Sequence, residues 1–395
     1  MWLTHKRTRL VELDDTVFRR LLNFYPEENL LSRRLLSEAL TRGTIAKLDL
    51  QREANTLFIP WHMFLLTPEN LRAQLVNIER TRKDRIKIAR LSSRGGQDGP
   101  PPNRLIDRYI RAQAFLHSTG LCQVNRYNNS LRGKTPLNAV ERLSSYFQID
   151  RSEFWQKPTK EAAFEYLMTR IEARQINVAL GTSEARLVPT SRNHKVLYRN
   201  ISGFCLKDDR VPFVFINTNL SDEEEPLGRR IFTLVYLVAL VGLGVYTVTR
   251  DWRMPLDSSL RDPYSEVAYR ITSSFLLPEA AIAPYRGRDI TRAIVNDLSG
   301  RYKLTPAAVL VRLLREQYIS RDQYEALTVP TSPHISRLRS PRIDRAVRRL
   351  NGRVVCDAVT KAFRSNGITQ NQAQYILFGR IRREAWRAYR AQVHL

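Results

Sequence analysis

Arginine is the residue type in this sequence with the clearest chemistry, because it is abundant and occurs in clusters. A guanidinium group stays ionised and can bind a phosphate through two parallel hydrogen bonds. Clusters of this kind are typical of proteins that hold the backbone of a nucleic acid, a contact that fixes position without reading sequence. We predict three nucleic-acid-binding groups: Arg33, Arg34, Arg42 and Lys47; Arg80, Arg82, Lys83, Arg85, Lys87 and Arg90; and Arg380, Arg382, Arg383, Arg387 and Arg390.

Each basic group also has a plainer interpretation as the solvated face of a helix. The run within 80–94 leads into residues 92–103, SSRGGQDGPPPN, which are typical of an exposed linker. Between 337 and 390 the chain has fourteen Arg or Lys, with aromatic residues interleaved, against Asp344, Asp357 and Glu384. This C-terminal combination favours a nucleic acid or an acidic protein as partner.

The overall composition agrees with a polyanionic partner and sets the expected compartment. The chain has 395 residues, a net charge of +25 and a pI near 10.4. Such a field attracts nucleic acid, an acidic protein or an anionic membrane surface and does not report the fold. The three cysteines form no Cys-x-x-Cys pair, and the N-terminus has no apolar signal core. We therefore expect a cytoplasmic protein that does not sit in a membrane.

Other arrangements for chemistry are not evident in the sequence. No glycine-rich phosphate loop follows a strand pattern. The histidines are scattered without the spacing of metal ligands: His5, His62, His117, His194, His334 and His394. We therefore expect no cofactor and no metal.

Residues 231–249, IFTLVYLVALVGLGVYTVT, form a run without one charge around which the rest of the chain is organised. About 20 apolar residues can span a bilayer as a helix. Gly242 and Gly244 interrupt the second half of the run, however, and Ser221 followed by acidic residues is typical of the start of a helix in a globular domain. We predict a helix over 221–244 that is buried on every face.

The sequence before this helix resembles the ImmA/IrrE family of zinc metallopeptidase-like regulators. The resemblance is carried by residues 211–217, VPFVFIN, and by residues 229–234, RRIFTL. In that family a His-Glu-x-x-His motif follows at once, and its histidines bind zinc while the glutamate activates water. This chain has Tyr236, Leu237 and Leu240 at the motif positions, and leucine can neither bind zinc nor accept a proton. The resemblance therefore implies a scaffold that has lost its catalytic motif.

The resemblance extends along most of the second half of the chain. Residues 266–278, EVAYRITSSFLLP, resemble the helix that carries the third zinc ligand, where Glu266 is the nearest carboxylate although its register is off by about one position. We expect Glu266 to form a salt bridge or to lie on an exposed face rather than to bind metal. Residues 41–66 resemble the end of a repressor-type helix-turn-helix, which family members often carry at the N-terminus.

Together these patterns predict an α+β, mainly helical protein with a degenerate zincin-like core, in which a small sheet over 177–217 packs on the central helix. We predict four regions: a degenerate helix-turn-helix-like domain (1–66), a helical connector with an exposed linker (67–155), a pseudo-metallopeptidase domain (156–330) and a basic C-terminal helical region (331–395).

The function that we expect is that of a non-catalytic regulator which binds nucleic acid, a protein partner or both. The resemblance implies a mobile-element, phage-immunity or antitoxin-like context. Two alternatives stay open: a metal-dependent peptidase with a rebuilt site, and a phage structural or assembly protein. The sequence leaves the oligomeric state open.

Overall fold

The computed structural model describes residues 1–6, 8–24, 30–56, 59–86, 103–181, 201–220, 223–224, 226–250, 263–328, 342–379 and 383–394. Within these residues the protein is mainly helical, with two small mixed sheets and a two-stranded ribbon. The predicted α+β, mainly helical class is confirmed. Residues 92–102, which form most of the predicted linker, lie outside the described residues.

The N-terminal elements surround a hydrophobic core of their own. They are β1 (Trp2–His5), β2 (Thr8–Glu12), α1 (Asp15–Phe24), α2 (Leu30–Arg42), β3 (Thr44–Ala46), α3 (Lys47–Thr56), a 3-10 turn (Trp61–Leu65) and α4 (Pro68–Arg85). The first helix starts where it does because the Asp14 carboxylate accepts the backbone N–H of Thr16 at 2.7 Å. The antiparallel pair β1 and β2 is not predicted by the sequence pattern, and β3, parallel to β1, lies between α2 and α3.

The central elements begin after the predicted linker and lead into the second sheet. They are α5 (Asn103–Ser118), α6 (Pro136–Phe147), α7 (Arg151–Gln156), α8 (Lys160–Glu172), β4 (Asn177–Gly181), β5 (Ile201–Leu206), β6 (Phe213–Asn217), β7 (Asn219–Leu220), β8 (Glu223–Glu224), α9 (Leu227–Leu243) and β9 (Val248–Arg250). The strand order is β4-β6-β5-β9, with β4 parallel to β6 and the other pairs antiparallel.

The central helix α9 is buried along most of its length as predicted, but its predicted start is wrong. It begins at Leu227 after Pro226, so Ser221 is not its N-cap, and Glu223–Glu224 form β8 instead. It ends at Leu243, close to the predicted end, because Gly244 adopts a left-handed conformation with φ of 70°. The chain then returns as β9, so the apolar run 231–249 comprises most of a 17-residue helix and the start of a strand. None of the described helices is both long and apolar enough to cross a membrane.

The remaining helices complete the packing around the sheet. They are α10 (Pro263–Leu276), α11 (Glu279–Ile282), a 3-10 turn (Ala283–Tyr285), α12 (Arg292–Arg301), α13 (Pro306–Arg315), α14 (Arg321–Leu327), α15 (Ile343–Asn351), α16 (Arg353–Arg364), α17 (Gln370–Phe378) and α18 (Arg383–Val393). The arginine-rich last helix, α18, is described from Arg383 on.

The two faces of the second sheet belong to two different cores, because successive side chains on a strand point in opposite directions. On β4 and β6, Val178, Val214 and Ile216 face the core that contains α9. The alternate residues Phe213 and Phe215 face a core built from α5 and the C-terminal helices. Helix α5 and the basic C-terminal helices together therefore cover this face of the sheet.

Candidate nucleic-acid interface

The N-terminal candidate arginines lie on a helix surface beside a carboxylate. Arg34 donates from Nε to Glu38 at 2.8 Å, and Arg42 donates from Nε to the Glu38 carbonyl at 3.4 Å. The Lys47 ammonium lies 5.7 Å from the centre of the Trp61 ring. The backbone of Arg33 belongs to α2, and its side chain lies outside the described residues. Arg34 and Arg42 are exposed and stay candidates, although Glu38 offsets part of their charge.

Arg82, at the end of α4, requires a correction. Its guanidinium is buried and donates from Nε and Nη2 to both carboxylate oxygens of Asp107, at 3.0 and 2.8 Å. A bidentate pair of this kind fixes α4 against α5 and uses the two donors that a phosphate would need. Arg82 therefore holds the fold together and is not available to a nucleic acid.

Arg85 requires a similar correction, since it binds the loop that leads into β6. Its Nη1 donates to Asp208 at 2.8 Å and to the Lys207 carbonyl at 3.0 Å. Asp208 is fully buried and also lies 2.8 Å from the Nε2 atom of His117. The partly buried Arg85 is thus a structural cation.

The other candidates on this run divide by position. Arg80 is exposed and donates to Asn77 at 3.1 Å, and Lys83 is exposed. Both stay candidates for binding a nucleic acid. Lys87 and Arg90 lie outside the described residues.

The C-terminal helix α18 has two contrasting faces. Its inner face carries Trp386 and Tyr389, which are 2% and 3% exposed. Its outer face carries Arg383 and Arg387, which are exposed and have no carboxylate partner among the described residues. Arg390, at the edge between the two faces, lies 5.5 Å from the ring centre of Phe363. Arg380 and Arg382 lie outside the described residues.

Aromatic packing holds α18 firmly against its neighbours. The Trp386 ring meets Phe363 of α16 edge-on at a centroid distance of 5.1 Å, and Tyr389 meets Phe378 of α17 at 6.3 Å. Burial raises the pKa of the Tyr389 phenol, which therefore stays neutral. The predicted aromatic interleaving is thus mostly core, and the exposed arginines stand on a rigid support.

A cluster at the edge of β4 positions the whole C-terminal unit. The N-terminus of α16 follows Gly352, which has no side chain to cap it, and other elements supply the acceptors. The Glu172 carboxylate accepts the Arg353 N–H at 2.6 Å, and Asn177 Oδ1 accepts the Val355 N–H at 3.2 Å. Burial raises the pKa of Glu172 to about 7, and the backbone donors and nearby arginines oppose that shift only in part.

Several exposed cations of the same region were not singled out by sequence reasoning. Described residues 342–379 and 383–394 contain ten Arg or Lys and three Asp or Glu. Asp357 pairs with Arg348 and Arg353 at 3.3 and 3.2 Å, and Asp344 lies 3.4 Å from Arg342. Exposed cations of α15 and α16 remain without a carboxylate partner among the described residues: Arg345, Arg349, Lys361 and Arg364. The signal that could have found them is the excess of cations, which the sequence shows without showing which ones are paired.

The positions that match the zinc motif carry apolar or aromatic packing. Leu237 and Leu240 are fully buried, and Tyr236 is half-buried and stacks against Phe232 at 6.4 Å. Glu266 accepts two hydrogen bonds from Arg315, at 3.0 and 2.9 Å, in agreement with the expected salt bridge. No group of three or more His, Cys, Asp or Glu side chains in the described part of the chain is arranged to hold a metal ion.

Comparison with known proteins finds no matching protein family, no matching curated protein and no matching solved structure.

Proposed function

We propose that this protein is a non-catalytic regulator that binds nucleic acid through the outer surface of its C-terminal helices. The observation that carries the proposal is the set of exposed arginines on α15 and α18 without carboxylate partners in the described residues, namely Arg345, Arg349, Arg383 and Arg387. Unpaired cations on a rigid support attract polyanions and release bound counterions when they contact phosphates.

The regulator part of the proposal rests on the resemblance to ImmA/IrrE scaffolds and on the chemistry of the residues at the motif positions. Leucine side chains offer no electron pair to a metal, and Leu237 and Leu240 are buried inside the core. A scaffold with such a centre is suited to binding rather than to peptide hydrolysis. The phage, mobile-element or antitoxin-like setting belongs to the same proposal.

The experiment is a salt titration of the affinity of the full chain for a duplex of mixed sequence. In the test variant Arg345, Arg349, Arg383 and Arg387 are all replaced by Gln. Because each neutralised phosphate contributes about −0.9 to the log–log slope, we expect the slope to become shallower by about 2 when Arg345 and Arg349 alone contact phosphates, and by up to about 4 when all four arginines do.

A matched control keeps the same change in net charge. Arg52, Arg286, Arg321 and Arg353 are also exposed, but each is paired with a carboxylate, and all four are replaced by Gln in the control. The control should leave the slope nearly unchanged. Equal effects of the two variants would show that only net charge matters, and a flat slope in the unmodified protein would remove nucleic acid as the partner.

A further inference from the structure

The last two helices follow the order of a helix-turn-helix element, which is a second feature of the C-terminal surface. Helix α17 ends at Phe378, and Gly379 adopts a left-handed conformation with φ of 69°. Helix α18 is described from Arg383 on, and residues 380–382 between the two helices lie outside the described residues. Two helices joined by a short turn that contains glycine are the arrangement in which a second helix is presented to the DNA major groove. Helix α17 starts with a complete capping box formed by Thr369 and Gln372.

The outer face of α18 is a narrow stripe of exposed residues, as entry of a helix into a DNA groove requires. Its exposed residues are Arg383, Glu384, Arg387, Ala388 and Ala391. They form one stripe, because positions separated by three or four residues lie on the same side of a helix. At about 1.5 Å per residue the stripe is roughly 12 Å long. Its second half carries only methyl side chains, so a wall of the groove can approach the helix backbone closely.

The charges on the stripe also match the base edges of the DNA major groove better than they match a row of phosphates. Arg383 and Arg387 are one turn apart and can each bind guanine O6 and N7 in the major groove. Glu384 lies between them, and a carboxylate would repel a surface made only of phosphates. In the major groove the same carboxylate can accept the amino group of cytosine.

One neighbouring cation, Arg364, is placed to hold the DNA backbone at the C-terminal end of the stripe. The Arg364 guanidinium donates to the carbonyls of Val393 and His394 at 3.4 Å, which places it at the C-terminal end of α18. The inner face of the helix is fixed by Trp386 and Tyr389, so the stripe keeps its orientation.

From this arrangement we infer that α18 is a recognition helix that enters the major groove of B-form DNA, with Arg383, Glu384 and Arg387 directed at base edges. The inference rests on the proposed function and narrows it to duplex DNA. A-form RNA is excluded as the preferred partner because its major groove is too deep and narrow for a helix to enter.

The test compares three probes of the same sequence, which are duplex DNA, duplex RNA and single-stranded DNA, with the full chain and with Ala388→Trp. The bulky side chain should block entry into the groove and weaken binding to duplex DNA at least about tenfold, the loss expected for one base contact. The matched control Ala293→Trp places the same side chain at an exposed position of α12 and should leave binding unchanged. Thermal unfolding of both variants checks that they fold.

The expected result is that the unmodified protein binds duplex DNA more tightly than duplex RNA and that only Ala388→Trp removes this preference. Equal binding of duplex DNA and duplex RNA would overturn the inference and leave the proposed function standing. Unchanged or tighter binding by Ala388→Trp would do the same, since a tryptophan on a surface that tracks phosphates or stacks on bases costs nothing. Absence of salt-dependent binding to all three probes would instead overturn the proposed function.

Discussion

The end of α4 and the outer face of α18 are equally basic in the sequence, yet the fold uses their arginines in opposite ways. On α4, Arg82 and Arg85 are bound by Asp107 and Asp208. On α18, Arg383 and Arg387 are exposed and meet no carboxylate in the described residues. The first pair joins elements of the fold, and the second pair is free to meet a ligand.

Because equally basic segments differ in this way, the density of positive charge in the sequence does not identify a binding surface. What separates the two regions is the position of the acids, which lie 25 residues from Arg82 and 123 residues from Arg85. The acids of the C-terminal unit serve other arginines, as Asp357 does for Arg348 and Arg353. A basic surface is therefore recognised by the partners that its cations lack after folding.

The largest loss of stability is expected for substitution of Arg82 on α4. Replacing Arg82 by Met removes the two hydrogen bonds of its guanidinium to the buried carboxylate of Asp107, and we expect the free energy of unfolding to fall by about 3 to 5 kcal/mol. Urea denaturation followed by circular dichroism measures the change. Adding Asp107→Leu to the same chain should restore part of the loss, because neither charge of this ion pair is then buried.

The control for Arg82 is its exposed neighbour Arg80, whose replacement by Met should have almost no effect on stability. If Arg82→Met were as stable as the unmodified protein, the ion pair with Asp107 would not hold α4 to α5. Arg82 would then return to the candidates for nucleic-acid binding.

A second effect concerns the carboxylate beneath the C-terminal helices. The pKa of Glu172 is raised from 4.5 in the ordinary state to about 7 in the folded protein. The folded state therefore holds a proton that the unfolded state has released between about pH 4.5 and pH 7, and stability falls as the pH rises through this window. The loss should reach roughly 3 kcal/mol and stay constant at higher pH.

The measurement is the free energy of unfolding of the unmodified protein relative to Glu172→Gln, which cannot titrate, at pH 5 and at pH 8. The unmodified protein should become less stable relative to Glu172→Gln as the pH rises from 5 to 8. Glu165→Gln, at an exposed position of the same helix α8, is the matched control and should show no such trend. If the stability difference between the unmodified protein and Glu172→Gln did not change with pH, burial would not raise the pKa of Glu172.

The sequence predicts the helices and strands well where the pattern is local. The heptapeptide VPFVFIN contains the strand Phe213–Asn217, and the apolar run 231–249 contains most of the buried helix Leu227–Leu243. The start of that helix is mispredicted because an acidic Ser-Asp segment looks like a cap, while Pro226 actually precedes the first turn. Strand Val248–Arg250 is hidden because its first two residues continue the apolar run, and only Gly244 marks the break.

The candidate site is predicted less well because it depends on contacts between distant residues. The sequence shows that Arg82 and Arg383 are both cationic, and it cannot show that Asp107 reaches one of them. It also cannot show that Glu172 and Asn177 cap α16, since the capping groups lie about 180 residues earlier in the chain. The aromatic residues between 363 and 389 suggest base stacking, yet Trp386 and Tyr389 are buried in the core. Truncation of residues 380–395 would therefore remove core side chains along with the arginines, so point substitutions are the better test.

The smallest changes in stability are expected for two double substitutions of exposed cations, one on α4 and one on α18. Replacing Arg80 and Lys83 together by Gln, or Arg383 and Arg387 together by Gln, should change the free energy of unfolding by no more than about 0.5 kcal/mol. Thermal or urea unfolding measures both. A large loss for either pair would show that its side chains are part of the fold, as those of Arg82 and Arg85 are.

These same two double variants supply the most direct test of the central claim, which is that the outer face of α18 holds nucleic acid and the end of α4 is mainly structural. The measurement is the affinity for duplex DNA at one fixed salt concentration, taken side by side for the unmodified chain and both variants. We expect Arg383→Gln with Arg387→Gln to weaken binding at least about tenfold, because two contacts to base edges are removed. Arg80→Gln with Lys83→Gln should weaken binding much less, and an unchanged affinity for the α18 variant, or a larger loss for the α4 variant, would contradict the claim.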